Sequence, residues 1–191
     1  MTGSRLEAFS DAVIAIIITI MVLELRPPEG TGWADLEELS ATFFAYLLSF
    51  VNLGIYWNNH HHMLQLVDRI SGGILWANLH LLFWLSLFPF ATAWMGEHDF
   101  ARTPVILYGI VSILAAIAYY ILQLTIIRVQ GPESKLAAAI GRDVKGKISP
   151  VLYLAGIAAA GVGTWISLSF FVLVILLWLV PDRRIESQLI P

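Results

Sequence analysis

The 191-residue chain contains no cysteine, which excludes disulfides and thiolate metal sites at the outset. Charge is scarce as well. Asp, Glu, Lys and Arg make up 13% of the residues, where a soluble domain carries roughly 25%. No basic stripe interleaved with aromatics accompanies the net charge of −3, so nucleic acid is not an expected partner. A Walker loop, a GxSxG elbow and an HExxH pair are all missing, and neither an enzyme nor a bound cofactor is expected. Also absent are the TVGYG filter of the common potassium channels and the Arg-at-every-third-position pattern of a voltage sensor. Internal repeats and low-complexity tracts are lacking too.

What remains is apolar. Hydrophobic residues make up 58% of the chain, and the mean hydropathy is +0.77. That is the composition of an integral membrane protein. The first apolar segment runs into Glu24, Arg26 and Pro27-Pro28 with no small-residue cleavage site behind it, so it reads as a retained span rather than a cleaved signal. A spanning helix needs about 17–25 apolar residues. On that basis six are expected, over residues 11–25, 40–66, 73–95, 104–127, 148–162 and 164–180. Pro27-Pro28 ends the first, because proline cannot continue a helix interior. Pro104 suits the first turn of the fourth. The last apolar block is too long for one span, and Gly161-Val162-Gly163-Thr164 divides it into two short helices.

Lys and Arg test that count. With six spans and a cytoplasmic N-terminus, nine of the eleven lie inside: Arg5, Arg69, Arg128, Lys135, Arg142, Lys145, Lys147, Arg183 and Arg184. Only Arg26 and Arg102 lie outside, a clear positive-inside bias. Five spans would move Arg183 and Arg184 outside. The expected fold is therefore a single all-α membrane domain over residues 1–191 with both termini cytoplasmic.

Residues 5–25 of the first helix, RLEAFSDAVIAIIITIMVLEL, carry Arg5 and Phe9-Ser10-Asp11 at the mouth of an otherwise apolar run. A carboxylate in hydrocarbon costs roughly 2.5–3.5 kcal/mol at mid-helix. Ile16, Thr19, Ile20 and Leu23 share one helical face, and Asp11 lies about 140° from Ile16. If that stripe faced a central axis, Asp11 would face neighbouring helices and need a partner there. An apolar helix also carries such a stripe against lipid or a neighbour, and Thr19 can bond back to a carbonyl one turn earlier.

The second helix contains Trp57, then His60-His61-His62. Three consecutive histidines point in three directions and cannot converge on one metal. Asn58, His61 and Gln65 do share a face, and the third helix adds Asn78. Asp11, His61 and Asn78 fall at one end of the bundle, where each supplies hydrogen bonds that the others need. Aromatic and imidazole side chains are also ordinary interfacial anchors, which is the alternative for Trp57, His60 and His62. Glu24 near the other end suits either an acidic ring in an oligomer or an interfacial pair with Arg26.

These residues resemble the transmembrane protein 175 family, the endosomal and lysosomal potassium channels and their prokaryotic relatives. The resemblance rests on Arg5, Phe9-Ser10-Asp11, Ala15-Ile16, Thr19 and Leu23, with support from Trp57, His60-His61-His62, Asn78 and Pro89. A chain of this length with one such motif resembles the single-repeat prokaryotic form, which implies a homotetramer in the prokaryotic cell membrane. The resemblance further implies that the first helix of each subunit lines a pore for potassium and other monovalent cations. Ile16 would be the hydrophobic constriction, Ile20 and Leu23 the continuing gate, and Thr19 with Ile16 the seat of potassium preference, with ions passing transiently there. Arg5, Phe9, Ser10, Asp11, His61 and Asn78 would form the bracing network, His60 or His62 being able to replace His61. Two other readings stay open: a proton-coupled secondary transporter using Asp11 and the histidines, and a membrane enzyme with a histidine-bound metal.

Overall fold

The computed structural model describes residues 3–140 and 143–179. Among these residues there are nine helices and no strands. They are α1 (Gly3–Leu23), α2 (Trp33–Glu37), α3 (Ser40–Gln65), α4 (Gly72–Leu85), α5 (Phe88–Glu97), α6 (Arg102–Gln130), α7 (Lys135–Ile140), α8 (Val144–Ala159) and α9 (Thr164–Leu179). Four stretches are long and apolar enough to cross a bilayer: α1, α3, α4 with α5, and α6. The sixteen-residue α9 is a shorter apolar helix. Arg142, Arg183, Arg184, the end of the expected span at Val180 and the C-terminus lie outside the described residues.

Several features differ from the sequence expectation, among them the helix expected over 148–162, which runs Val144–Ala159. The first helix is already formed at Gly3, the first described residue, well before Asp11. Hydropathy marks where a helix enters hydrocarbon, whereas the backbone of Ser4 to Ala8 stays helical beyond that edge and buries Leu6. The expected third span is two helices, because Pro89 has no N–H to offer the Leu85 carbonyl. The chain tightens there, Leu87 N bonding to Trp84 O at 3.3 Å, before α5 begins. Finally, two linkers hold short helices. Asp35 accepts from Gly32 N at 2.7 Å to start α2, and Ser134 accepts from Ala137 N at 3.3 Å to start α7.

Other ends follow ordinary capping. Ser71 accepts from Ile74 N at 3.3 Å to cap α4. Gly131, with φ 96°, closes α6 in a conformation that favours glycine, and Pro132 follows. Asp143 caps α8 by accepting from Gly146 N at 3.0 Å.

α1 packs on α3, α4 and α5, and α4 and α5 pack on α6. Beyond α6 lies the α8–α9 pair. Buried polar groups tie these layers together, as they must where no water is available. Thr92 of α5 donates to Ser49 of α3 at 2.7 Å, and Ser49 donates to Tyr108 of α6 at 3.3 Å. Trp178 of α9 donates to Ser149 of α8 at 2.8 Å, and Gln123 of α6 donates to Asp143 at 2.9 Å.

The α3–α5 contact is close because Gly96 has no side chain: a Cβ there would come 2.7 Å from Thr42 Cα. Backbone cannot yield as a flexible side chain does, so Gly96→Ala should destabilise the fold by about 1–3 kcal/mol. Thermal unfolding of the detergent-solubilised protein reads this as a lowered midpoint, and an unchanged midpoint would show that α5 sits farther from α3.

Candidate functional site

α1 has two faces of different character. Leu6, Ser10, Ile14, Ile17 and Met21 follow one helical stripe and are buried against α3, α4 and α5. On the other side Ile16, Ile20 and Leu23 are 57%, 41% and 76% exposed, and Thr19 is exposed between them. The Thr19 hydroxyl donates to the Ile16 carbonyl at 2.9 Å. Its proton is thereby occupied, and its oxygen lone pairs remain open to an incoming group. Beside this face runs a groove of 750 Å³ between α1 and α5, lined by Ile16, Ile20, Phe90 and Trp94 among others, with Glu24 and Glu97 also on its walls.

The buried face is held by a chain of hydrogen bonds whose direction is determined throughout. The Leu6 carbonyl can only accept, so Ser10 Oγ donates to it at 2.9 Å. Ser10 Oγ then accepts from Asn78 Nδ2 at 2.9 Å. Asn78 therefore turns its Oδ1 to His60 Nε2, 2.7 Å away, and His60 takes the tautomer protonated at Nε2. Ser10, Asn78 and His60 are all fully buried, at 0% exposure. This one chain joins α1, α4 and α3.

The expected network is thus redistributed. Ser10 and Asn78 share one chain of hydrogen bonds, and its histidine is His60, one of the two alternatives to His61. The reason is register: His60 continues the buried stripe of Leu53 and Leu64, at i+7 and i+11, and His61 stands a further 100° round the helix. That spacing was the signal in the sequence that could have singled out His60. Asp11 does not reach Asn78; its Oδ1 accepts from Trp57 Nε1 at 3.0 Å in a second, half-exposed cluster. His61 belongs there, with Nε2 2.8 Å from Gln65 Nε2, Nδ1 2.8 Å from Glu7 Oε1, and its ring stacked on Trp57. Glu7 is the member that sequence reasoning missed, since a charged residue at a helix end is ordinary by itself. Arg5 and Phe9 are exposed and take part in neither cluster among the described residues.

Removing the amide at the centre of the buried chain leaves the His60 N–H without an acceptor and the Ser10 oxygen without a donor, while Ser10 keeps its bond to the Leu6 carbonyl. Asn78→Ala should therefore destabilise the protein by about 1–3 kcal/mol for each orphaned group. Asp11→Asn keeps an acceptor for Trp57 and should shift the unfolding midpoint far less. Equal losses for the two variants would contradict this ranking.

The family described as Endosomal/lysosomal potassium channel TMEM175 matches residues 5–89 of the chain. A potassium channel of Chryseobacterium sp. (strain P1-3) is 56% identical over 189 residues, 99% of this chain and 98% of that one. A potassium channel of Chamaesiphon minutus is 32% identical over 184 residues, 90% of this chain and 91% of that one. The crystal structure of a lysosomal potassium-selective channel TMEM175 homolog from Chamaesiphon minutus superposes with a TM-score of 0.82 at 28% identity, over 94% of this chain and 97% of that one. The matched segment holds the Ser10–Asn78–His60 chain and both faces of α1. This chain belongs to the TMEM175 family.

Proposed function

We propose that this protein is the subunit of a potassium-preferring passive cation channel, a homotetramer in which α1 of each copy lines the pore. The observation that carries this is the exposed stripe Ile16, Thr19, Ile20 and Leu23 on a helix whose opposite face is braced by buried hydrogen bonds. An apolar face left uncovered on one chain suits an axis shared with three others. The family is one of ion channels rather than enzymes, and relatives at 56% and 32% identity carry the name potassium channel. Those names favour a channel over the proton-coupled transporter.

Six spans from one domain, over residues 1–191, remain our reading of the topology, with both termini cytoplasmic in a prokaryotic cell membrane. α8, at sixteen residues, reaches about 24 Å, short of a hydrocarbon core of about 30 Å, and sixteen residues of α9 are described. Lys145 and Lys147 in the first turn of α8 suit a cytoplasmic interface at that end.

The pore chemistry follows from the two residue types. A ring of Ile16 side chains dehydrates an ion without offering replacement oxygens, so it gates by excluding water. Ile20 and Leu23 extend that apolar lining. Thr19, one turn farther along, presents hydroxyl oxygens whose protons are engaged with Ile16, so lone pairs face a passing cation. Potassium preference then belongs to Thr19 acting with the constriction. Glu24 and Glu97 near the outer end would gather cations at the mouth.

Ile16→Asn should wet the constriction, raising potassium flux into liposomes and lowering discrimination against sodium. If both quantities stay at the wild-type values, α1 does not line the pore. Cross-linking in detergent should give about four times the 21.2 kDa subunit mass, and a monomer would exclude an axial pore built from one helix per chain.

A further inference from the structure

Glu7 is not part of the hydrogen-bond chain that braces α1, yet it faces a built cluster. Glu7 and Asp11 are one turn apart on α1, so their carboxylates point to the same side. His61 of α3 completes the group: one ligand atom from each of the three lies within 4.8 Å of the other two. His61 Nδ1 is 2.8 Å from Glu7 Oε1, but that oxygen is outside hydrogen-bonding geometry, and Nδ1 is buried with no hydrogen bond. A carboxylate oxygen touching an imidazole nitrogen off its axis is how two adjacent ligands of one ion meet. With tetrahedral bonds of about 2.0–2.2 Å two ligand atoms stand roughly 3.3–3.6 Å apart, so Glu7 and His61 need separate by only about half an ångström to admit the ion.

The surroundings hold the ligands as an outer shell does. Trp57 Nε1 fixes Asp11 Oδ1 at 3.0 Å and leaves the other carboxylate oxygen available. The Trp57 ring stacks on the His61 ring with centroids 5.9 Å apart. Gln65 meets His61 Nε2 at 2.8 Å, and a half-turn of its amide presents oxygen to the Nε2 proton when Nδ1 is the ligand. Two carboxylates and a neutral imidazole carry a charge of −2, which a divalent cation neutralises. One nitrogen and two oxygens favour a first-row transition ion over calcium or magnesium. Ligand atoms of a tetrahedral zinc ion stand roughly 3.3–3.6 Å apart, so ligand atoms that lie within 4.8 Å of one another close by up to about 1 Å on binding. Side-chain exposures of 31% for His61 and 23% for Glu7 leave the ion a path from water.

We propose that Glu7, Asp11 and His61 bind one divalent transition-metal ion per chain and so clamp α1 to α3. The binding stands on this geometry alone; its effect on conduction rests on the channel reading given above. Isothermal titration of the full-length protein in detergent with zinc chloride is the test. Wild type should show about one saturable site per chain, weakened at least about tenfold by Glu7→Gln and by His61→Gln and retained in His62→Gln. Glu7 is partly exposed, so Glu7→Gln should fold normally, and wild-type affinity in that variant overturns the proposal. So does a wild-type protein that takes up no zinc at millimolar concentration. In liposomes, zinc should lower potassium flux through wild type and not through Glu7→Gln, whereas binding without any change in flux overturns the clamp. A protein that binds zinc but conducts nothing overturns the channel reading and leaves the metal site in place.

Discussion

The hydrogen-bond chain from His60 through Asn78 and Ser10 to the Leu6 carbonyl is the interaction on which the arrangement of α1 depends. Inside a membrane there is no water to replace a lost partner, so each of these polar groups is held to the others. Three helices, α1, α3 and α4, meet through side chains that have no other place to go. The direction of every bond is set by the one carbonyl that can only accept, and this determines the tautomer of His60 as well.

Bracing one face of α1 releases the other. Leu6, Ile14, Ile17 and Met21 pack inward beside Ser10, which leaves Ile16, Thr19, Ile20 and Leu23 without cover from their own chain. The pore-lining role proposed for α1 needs this asymmetry. The helix has to be rigid with respect to its own subunit while presenting a face that its own subunit does not use. The second chain of bonds, from Thr92 through Ser49 to Tyr108, does similar work deeper in the bundle, joining α5, α3 and α6. The bend before Pro89 divides α4 from α5, and the groove between α1 and α5 opens beside it.

The half-exposed cluster of Glu7, Asp11, Trp57, His61 and Gln65 differs in kind from the buried chain. Its members are charged, aromatic or, in Gln65, a neutral amide, and they sit toward the end of α1 where Ser4 to Ala8 extend past the apolar run. Asp11 is thus less a costly charge in hydrocarbon than a group at its edge with an indole N–H to accept. That difference explains why Phe9-Ser10-Asp11, read as one motif, serves two sites: Ser10 points inward and Asp11, 100° further round, points along the edge.

By itself the sequence determined the class and much of the layout. Scarce charge and long apolar runs require membrane helices, prolines and glycines mark where they stop, and the apolar stripe of α1 is written in its spacing. The family too was legible, since Arg5, Phe9-Ser10-Asp11, Ile16 and Thr19 all lie in one segment of the chain. Helix starts were less so, because hydropathy reports the membrane edge and a backbone can stay helical past it. What only the tertiary structure decided was partnership. Three adjacent histidines look alike in a sequence, and only the packing of α3 against α1 and α4 puts His60 at Asn78 and turns His61 toward Glu7. The reason is angular: a register difference of one residue rotates a side chain by 100°, enough to exchange the buried core for the aqueous edge.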